Sequence, residues 1–187
     1  MAIFIDGITI LGDAVVEPVS RVEAKNWMRV QYEDDNDLID DLIKSARIHI
    51  ENLTGISLVE KLIKANIELT GSVPNVWMVD VPYGPLLAVD TIKIKTGLNT
   101  WQTLTEDDEY EIIGGKIWFY TRGYYEIEYE TGYTTLPLDL ITDILTLTTW
   151  SYENRGKKFQ GDSTLGLMKE YPKWDGLNYH QYKKVVI

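Results

Sequence analysis

Two acidic runs are the first candidates for chemistry in this chain. One comprises Glu33, Asp34, Asp35, Asp37, Asp40 and Asp41; the other comprises Glu106, Asp107, Asp108, Glu109 and Glu111. A calcium loop needs alternating oxygen ligands, a central glycine for the bend and a distal bidentate glutamate. Asp35 and Asp37 alternate, but the glycine is missing and no glutamate falls at the twelfth position. Helix capping and a solvated face account for the run instead. Paired carboxylates flanking a groove hydrolyse glycosides. The second run lies mostly between strand-like segments, where a solvated acidic loop is the ordinary outcome. Two histidines remain, His49 beside an apolar helical stripe and His180 near the C-terminus. With no cysteine in the chain, neither histidine has metal-spaced partners. No Gly-x-Ser-x-Gly elbow and no phosphate-cradling glycine loop occur. The residues therefore predict no catalytic, cofactor-binding or metal site, and no cofactor.

The 187 residues suit one domain, or one domain with arms, and 44% hydrophobic content can fill a sizeable core. No apolar run approaches the roughly 20 residues that span a bilayer. The start, MAIFIDGITIL, lacks the basic residues and cleavage site of a signal peptide. The absence of cysteine fits a reducing cytoplasm. Net charge is −11 and unevenly spread. Residues 1–155 carry 12 Lys/Arg against 26 Asp/Glu, whereas residues 156–187 carry 6 against 3. A nucleic-acid binder shows a basic footprint, because its affinity comes largely from phosphate contacts. The acidic body lacks one. Twelve tyrosines and six tryptophans could make a stacking platform, but such platforms come with a basic groove. Core and interface mass explains the rings better.

Elements that position these residues follow from periodicity. Ile3-Phe4-Ile5, Asp6-Gly7 and Ile8-Thr9-Ile10 predict an N-terminal hairpin, since Asp-Gly between apolar runs is the strongest short hairpin signal. Ser20 and Glu23 form a capping-box pattern opening a helix to about Met28. Leu38, Ile39, Leu42, Ile43, Ala46, Ile50 and Leu53 make one apolar stripe on a second helix, closed by Gly55. From residue 58 the period becomes two. Strands are predicted near 62–69, 76–81, 89–95, 100–104, 110–113, 116–120 and 124–130, separated by glycine and proline turns. A last helix runs from Pro137 to about Asn154, held by packing of Leu138, Ile141, Leu145 and Tyr152. The expected fold is α+β: an N-terminal helix pair and a C-terminal helix flank an inserted antiparallel β-meander, with an N-terminal hairpin and an extended C-terminal arm. The expected divisions are 1–19, hairpin and connector; 20–155, the main domain with its β-rich insertion at 58–131; and 156–187, a basic aromatic arm.

Several stretches in order resemble the phage head–tail connector proteins, also called neck adaptor or head-completion proteins. They are Val22-Glu23-Ala24-Lys25, Met28-Arg29-Val30, Asp34-Asp35-Asn36-Asp37 with Leu38-Ile39, and IHIENLTG at 48–55. VPYGPLLAV at 81–89, Tyr110–Ile113 followed by Gly115-Lys116-Ile117, EYETGY at 128–133, Leu136-Pro137 and YENR at 152–155 complete the pattern. The resemblance covers roughly residues 20–156. It implies a structural protein, not an enzyme, that forms a homo-oligomeric ring under the portal, commonly a dodecamer. Such a ring extends the DNA channel and gives the tail, or a downstream neck protein, its docking surface. It implies residence in the virion neck, and in the host cytoplasm during assembly, with no membrane and no sequence-specific nucleic acid as partner. A monomer in solution is compatible with it. Three rivals stand beside this reading: another ring-forming tail-completion protein, a carboxylate hydrolase using Glu106–Glu111, and a plain soluble interaction module with a host role.

The arm is too aromatic for a disordered tail and needs a surface to lie on. Its own body or another subunit could supply that surface. The residues expected at a subunit or portal interface are Arg155, Lys157, Lys158, Phe159, Leu165, Leu167, Met168, Tyr171, Trp174, Tyr179 and Tyr182.

Overall fold

A computed structural model describes residues 2–12, 16–71, 76–155 and 177–182, the side chains of Tyr179 and His180 excepted. The fold is α+β, as the change of period at residue 58 requires. The described residues fall into two compact units: a β unit from 2–16 and 55–134, and a helical unit from 17–54 and 135–182.

The β unit contains β1 (Ala2–Gly12), β2 (Lys61–Thr70), β3 (Trp77–Val79), β4 (Leu86–Gly97), β5 (Thr100–Thr103), β6 (Tyr110–Ile113), β7 (Lys116–Phe119) and β8 (Gly123–Thr131). Seven of these match the expected strands within a few residues. Their order is not that of a meander. One sheet runs β1-β2-β8-β4-β5 and a second runs β3-β7-β6, with all pairs antiparallel. Side-chain pairing supplies a reason for the central place of β8. Its Tyr125, Ile127 and Tyr129 are fully buried, while Glu126 and Glu128 face the other way. Those carboxylates meet Lys64 of β2 at 3.4 and 2.7 Å, and Glu126 meets Lys93 of β4 at 3.3 Å. A strand with acids on its open face is thus flanked on both sides by lysines.

The core lies between the two sheets. Ile63, Ala65, Ile67 and Leu69 of β2 meet Trp77, Val79, Ile117 and Phe119 of the small sheet in one cluster with the β8 residues. Each fully buried isoleucine contributes about 1.5–3 kcal/mol of transfer free energy. The buried phenols stay satisfied: Tyr129 donates to the Pro82 carbonyl at 2.8 Å and Tyr125 to the Thr121 carbonyl at 2.7 Å. Burial raises the pKa of both hydroxyls.

The predicted N-terminal hairpin is replaced by one continuous strand. β1 pairs with β2 along its length, with an irregularity between Ile5 and Gly7. The sequence breaks parity there: Ile3 and Ile5 are odd, Ile8 and Ile10 even. A turn would explain the break, and so does a bulge. The bulge keeps Ile3, Ile5, Ile8 and Ile10 on one face, opposite Leu69, Ile67, Ala65 and Ile63. Gly7 does not take the positive φ that a tight primed turn demands.

The helical unit contains α1 (Arg21–Met28), α2 (Asn36–Thr54) and α3 (Leu138–Glu153), with a 3-10 turn at Asn178–Tyr182. The capping box of Ser20 and Glu23 is fully formed, and Arg29 closes α1 in the left-handed region. Ile39, Ile43, Ala46 and Ile50 form the buried stripe of α2. On α3 the buried residues are Leu140, Ile144, Leu145 and Leu147, whereas Leu138 is 77% exposed. Of the stripe predicted from Leu138, Ile141, Leu145 and Tyr152, Leu145 is buried, Ile141 and Tyr152 are half-buried and Leu138 is exposed; the apolar residues spread over a wide arc of the helix, so periodicity did not fix the face. Thr142 and Thr149 return their hydroxyl hydrogens to the carbonyls of Leu138 and Leu145. No helix among the described residues is long and apolar enough to cross a membrane.

Candidate assembly surface

The acidic run at 33–41 serves to pair the helical unit internally. Arg21 grips Asp40 through its guanidinium, and that contact holds the Asp40 carboxyl below its ordinary range. Lys25 donates to the Tyr32 carbonyl and to Asn36, both at 2.8 Å, and meets Glu33 at 3.3 Å. Asp35 receives two residues of the YENR stretch: the Tyr152 hydroxyl at 2.5 Å and Arg155 Nη1 at 3.1 Å. Arg155 also lies over the Tyr152 ring, 4.4 Å from its centroid, and Tyr32 and Tyr152 share a hydroxyl contact of 2.6 Å. The hydrogen bond from Tyr152 is the main cause lowering the Asp35 pKa. In return the Tyr152 phenol is pushed up to about 12, first by Asp35 and then by Tyr32. Two stretches that carried the family resemblance, far apart in sequence, thus meet at the C-terminal end of α3.

Arg155, expected at an interface, therefore stands at the root of the arm and is about half exposed. Tyr182, expected there too, donates to Asp139 Oδ2 of α3 at 2.8 Å; Gln181 reaches the same oxygen at 2.7 Å, and Asn178 reaches Asp143 at 3.3 Å. The described part of the arm thus sits on a helix of its own chain, on two carboxylates one helical turn apart. Tyr179 belongs to the same turn. Lys157, Lys158, Phe159, Leu165, Leu167, Met168, Tyr171 and Trp174 lie outside the described residues.

Sequence reasoning missed Arg47. It is buried on α2 and forks onto Glu17 at 2.7 and 3.0 Å while donating to Glu51 at 2.8 Å. The spacing of Arg47 and Glu51 at i and i+4 was the available signal; Glu17, 30 residues upstream, gave none. Asp139 and Asp143 were missed as well, because only the docked turn gives them a role.

The second acidic run braces a turn. Glu109 accepts from the Thr105 amide at 2.9 Å, Asp107 takes positive φ, and its amide donates to the Tyr110 carbonyl. Glu111 accepts from Tyr120 and raises that phenol's pKa. Among the described residues no three Asp, Glu or His side chains are grouped so as to hold a metal ion.

The open apolar surface of the β unit lies at its sheet edges. β1 exposes Phe4, Ile8, Ile10 and Leu11, and Leu98 at the tip between β4 and β5 is 92% exposed.

The model of the family described as phage gp6-like head-tail connector protein matches residues 22–96, from α1 to the end of β4, a stretch that lies within the resemblance read from the sequence. Among solved structures, a chain in the neck of an empty GTA particle computed with C6 symmetry aligns at TM-score 0.68 and 12% identity, over 97% of both chains. One in the virion of a native gene transfer agent particle aligns at 0.66 and 13% over 96% of both, and one in a native GTA neck computed with C12 symmetry at 0.59 and 15% over 97% of both. At such identities the likeness is one of fold. Comparison with curated proteins returns no match.

Proposed function

We propose that this chain repeats around the particle axis as a ring under the portal, extends the DNA channel and presents a docking surface to the tail or to a downstream neck protein. The observation that carries the reading is the fold correspondence over nearly the whole of both chains with proteins in necks computed with C6 and C12 symmetry, joined to the family match. Charge supports it. A body of 12 basic against 26 acidic residues repels DNA, so a channel lined by it lets the duplex slide. A contact between different faces of neighbouring copies closes into a ring when the rotation fits. The chain transforms no substrate; its carboxylates serve capping and pairing. It assembles in the host cytoplasm and resides in the virion neck, with the basic aromatic arm and Arg155 at its subunit or portal contacts. Negative-stain images and mass measurements of the purified chain, with and without the portal of the same particle, test this. A closed ring on the portal axis is expected. A chain that stays monomeric and never joins the portal at high concentration refutes it.

A further inference from the structure

One row of side chains crosses the outward face of the five-stranded sheet. Phe4 of β1 lies opposite Glu68 of β2, and Glu68 opposite Tyr124 of β8. Lys95 of β4 lies opposite Trp101 of β5. The two halves meet at Tyr124: Lys95 Nζ stands 5.5 Å from the centroid of its ring, and the Trp101 and Tyr124 centroids are 6.1 Å apart. The row faces away from the core, because Ile67, Leu69 and Tyr125 beside it are fully buried. Its two ends differ in sign. At the β1 end Phe4, 55% exposed, stands with exposed Glu68 and with Asp6, which accepts from the Tyr124 hydroxyl at 2.7 Å. At the β5 end Trp101, 37% exposed, stands with exposed Lys95, and Leu98 projects at the adjoining tip. Glu109, 3.5 Å from Gln102 of β5, belongs to the reverse face, since Gln102 alternates with Trp101. Among the described residues neither Glu68 nor Lys95 has an ion-pair partner.

We propose that the β1 end of this row in one copy docks against the β5 end in the next, with Glu68 facing Lys95 and Phe4 packing against Trp101 and Leu98. The proposal deepens the ring reading above and rests on it. Aromatic side chains supply the contact area, as is common at the centres of protein interfaces. The carboxylate and the ammonium supply register and reject the reverse approach, because two β1 ends or two β5 ends would bring like charges together. β1 and β5 stand first and last in the strand order, four strand spacings or about 19 Å apart. One copy therefore offers both surfaces at once, to two different neighbours. A contact between unlike surfaces, repeated from copy to copy, is what a closing ring requires.

Full-length Glu68→Lys and Lys95→Glu are incubated with the portal of the same particle, each alone and the two mixed one to one. Rings on the portal are scored by negative stain against protein concentration. Each variant alone sets like charges at every contact and is expected to need roughly tenfold more protein for half-occupancy. The mixture is expected to regain native behaviour, because in a ring of alternating copies every contact again joins a lysine to a glutamate. Rescue by mixing cannot arise within one chain. Glu130→Lys changes the net charge equally at an exposed site of β8 outside the row, and it is expected to assemble as the native chain does. Where either reversal lowers the urea midpoint, Glu68→Gln and Lys95→Gln replace the pair; each is expected to weaken assembly about threefold. Native assembly by both members of the pair used overturns the proposal. So does a mixture of the reversals no better than either alone, or an equal loss in Glu130→Lys. These results leave the ring reading standing. Failure of the native chain to join the portal at all overturns both.

Discussion

Gly132, in the EYETGY stretch, is the residue whose replacement the structure penalises most directly. Its φ of +121° lies in a region that residues with a side chain rarely adopt, and a Cβ there would stand 2.2 Å from the Val59 carbonyl oxygen and 2.5 Å from its carbon. Its amide also donates to the Pro85 carbonyl at 3.0 Å, so the turn cannot swing away without losing a bond. Backbone strain of this kind costs about 1–3 kcal/mol. Overpacking against backbone, which has no rotamer to escape into, adds about 1–3 kcal/mol. Gly132→Ala is therefore expected to lose about 3–5 kcal/mol, a large share of the roughly 5–15 kcal/mol by which a domain is stable. With a urea slope near 2 kcal/mol/M, the unfolding midpoint drops by about 2 M. Gly114→Ala is the control. It also carries positive φ, 62°, but nothing lies within 4 Å of its Cβ position, so it should lose only about 1 kcal/mol. Urea unfolding followed by tryptophan fluorescence measures both. Equal losses in the two variants would show that the close approach to Val59 is not what demands glycine.

Other outcomes follow from the charged groups. Arg47→Met leaves Glu17 and Glu51 without their shared cation in a buried site and is expected to cost about 3 kcal/mol, read by the same unfolding assay. Glu23, Glu33, Asp35, Asp40 and Glu128 all have folded pKa values below their unfolded ones. The unfolded chain therefore binds more protons in acid, so stability is constant near neutrality and falls as pH drops below about 4.5 toward the folded values. A thermal midpoint that rises over that range contradicts the assignment. Tyr152→Phe removes the hydroxyl that links Asp35 to Tyr32, and trypsin should then cut after Arg155 faster than in the native chain. The same variant should also lose one late-titrating phenol near pH 12 in the tyrosinate absorbance.

Local order could be read from residue types alone because local forces set it. The capping box at Ser20 and Glu23, the αL glycine at Gly55 and seven of the strands depend on neighbours a few residues away. The acidic body, the absence of thiol chemistry and the head–tail connector pattern were legible for the same reason: composition and motif order need no folding to exist. Partnerships between distant segments were not legible. The parity break at Asp6-Gly7 fits a turn or a bulge equally well until β2 is seen to pair across it. The buried side of α3 is ill-defined in a helix whose apolar residues spread over a wide arc, until packing buries Leu145 and leaves Leu138 exposed. Asp35 reads as a helix cap until Tyr152 and Arg155 arrive, and Asp139 as surface until Tyr182 docks on it. Short-range propensity acts within a turn or two of chain, whereas a sheet edge, a buried ion pair or a docked arm is decided by segments that only the folded state brings together.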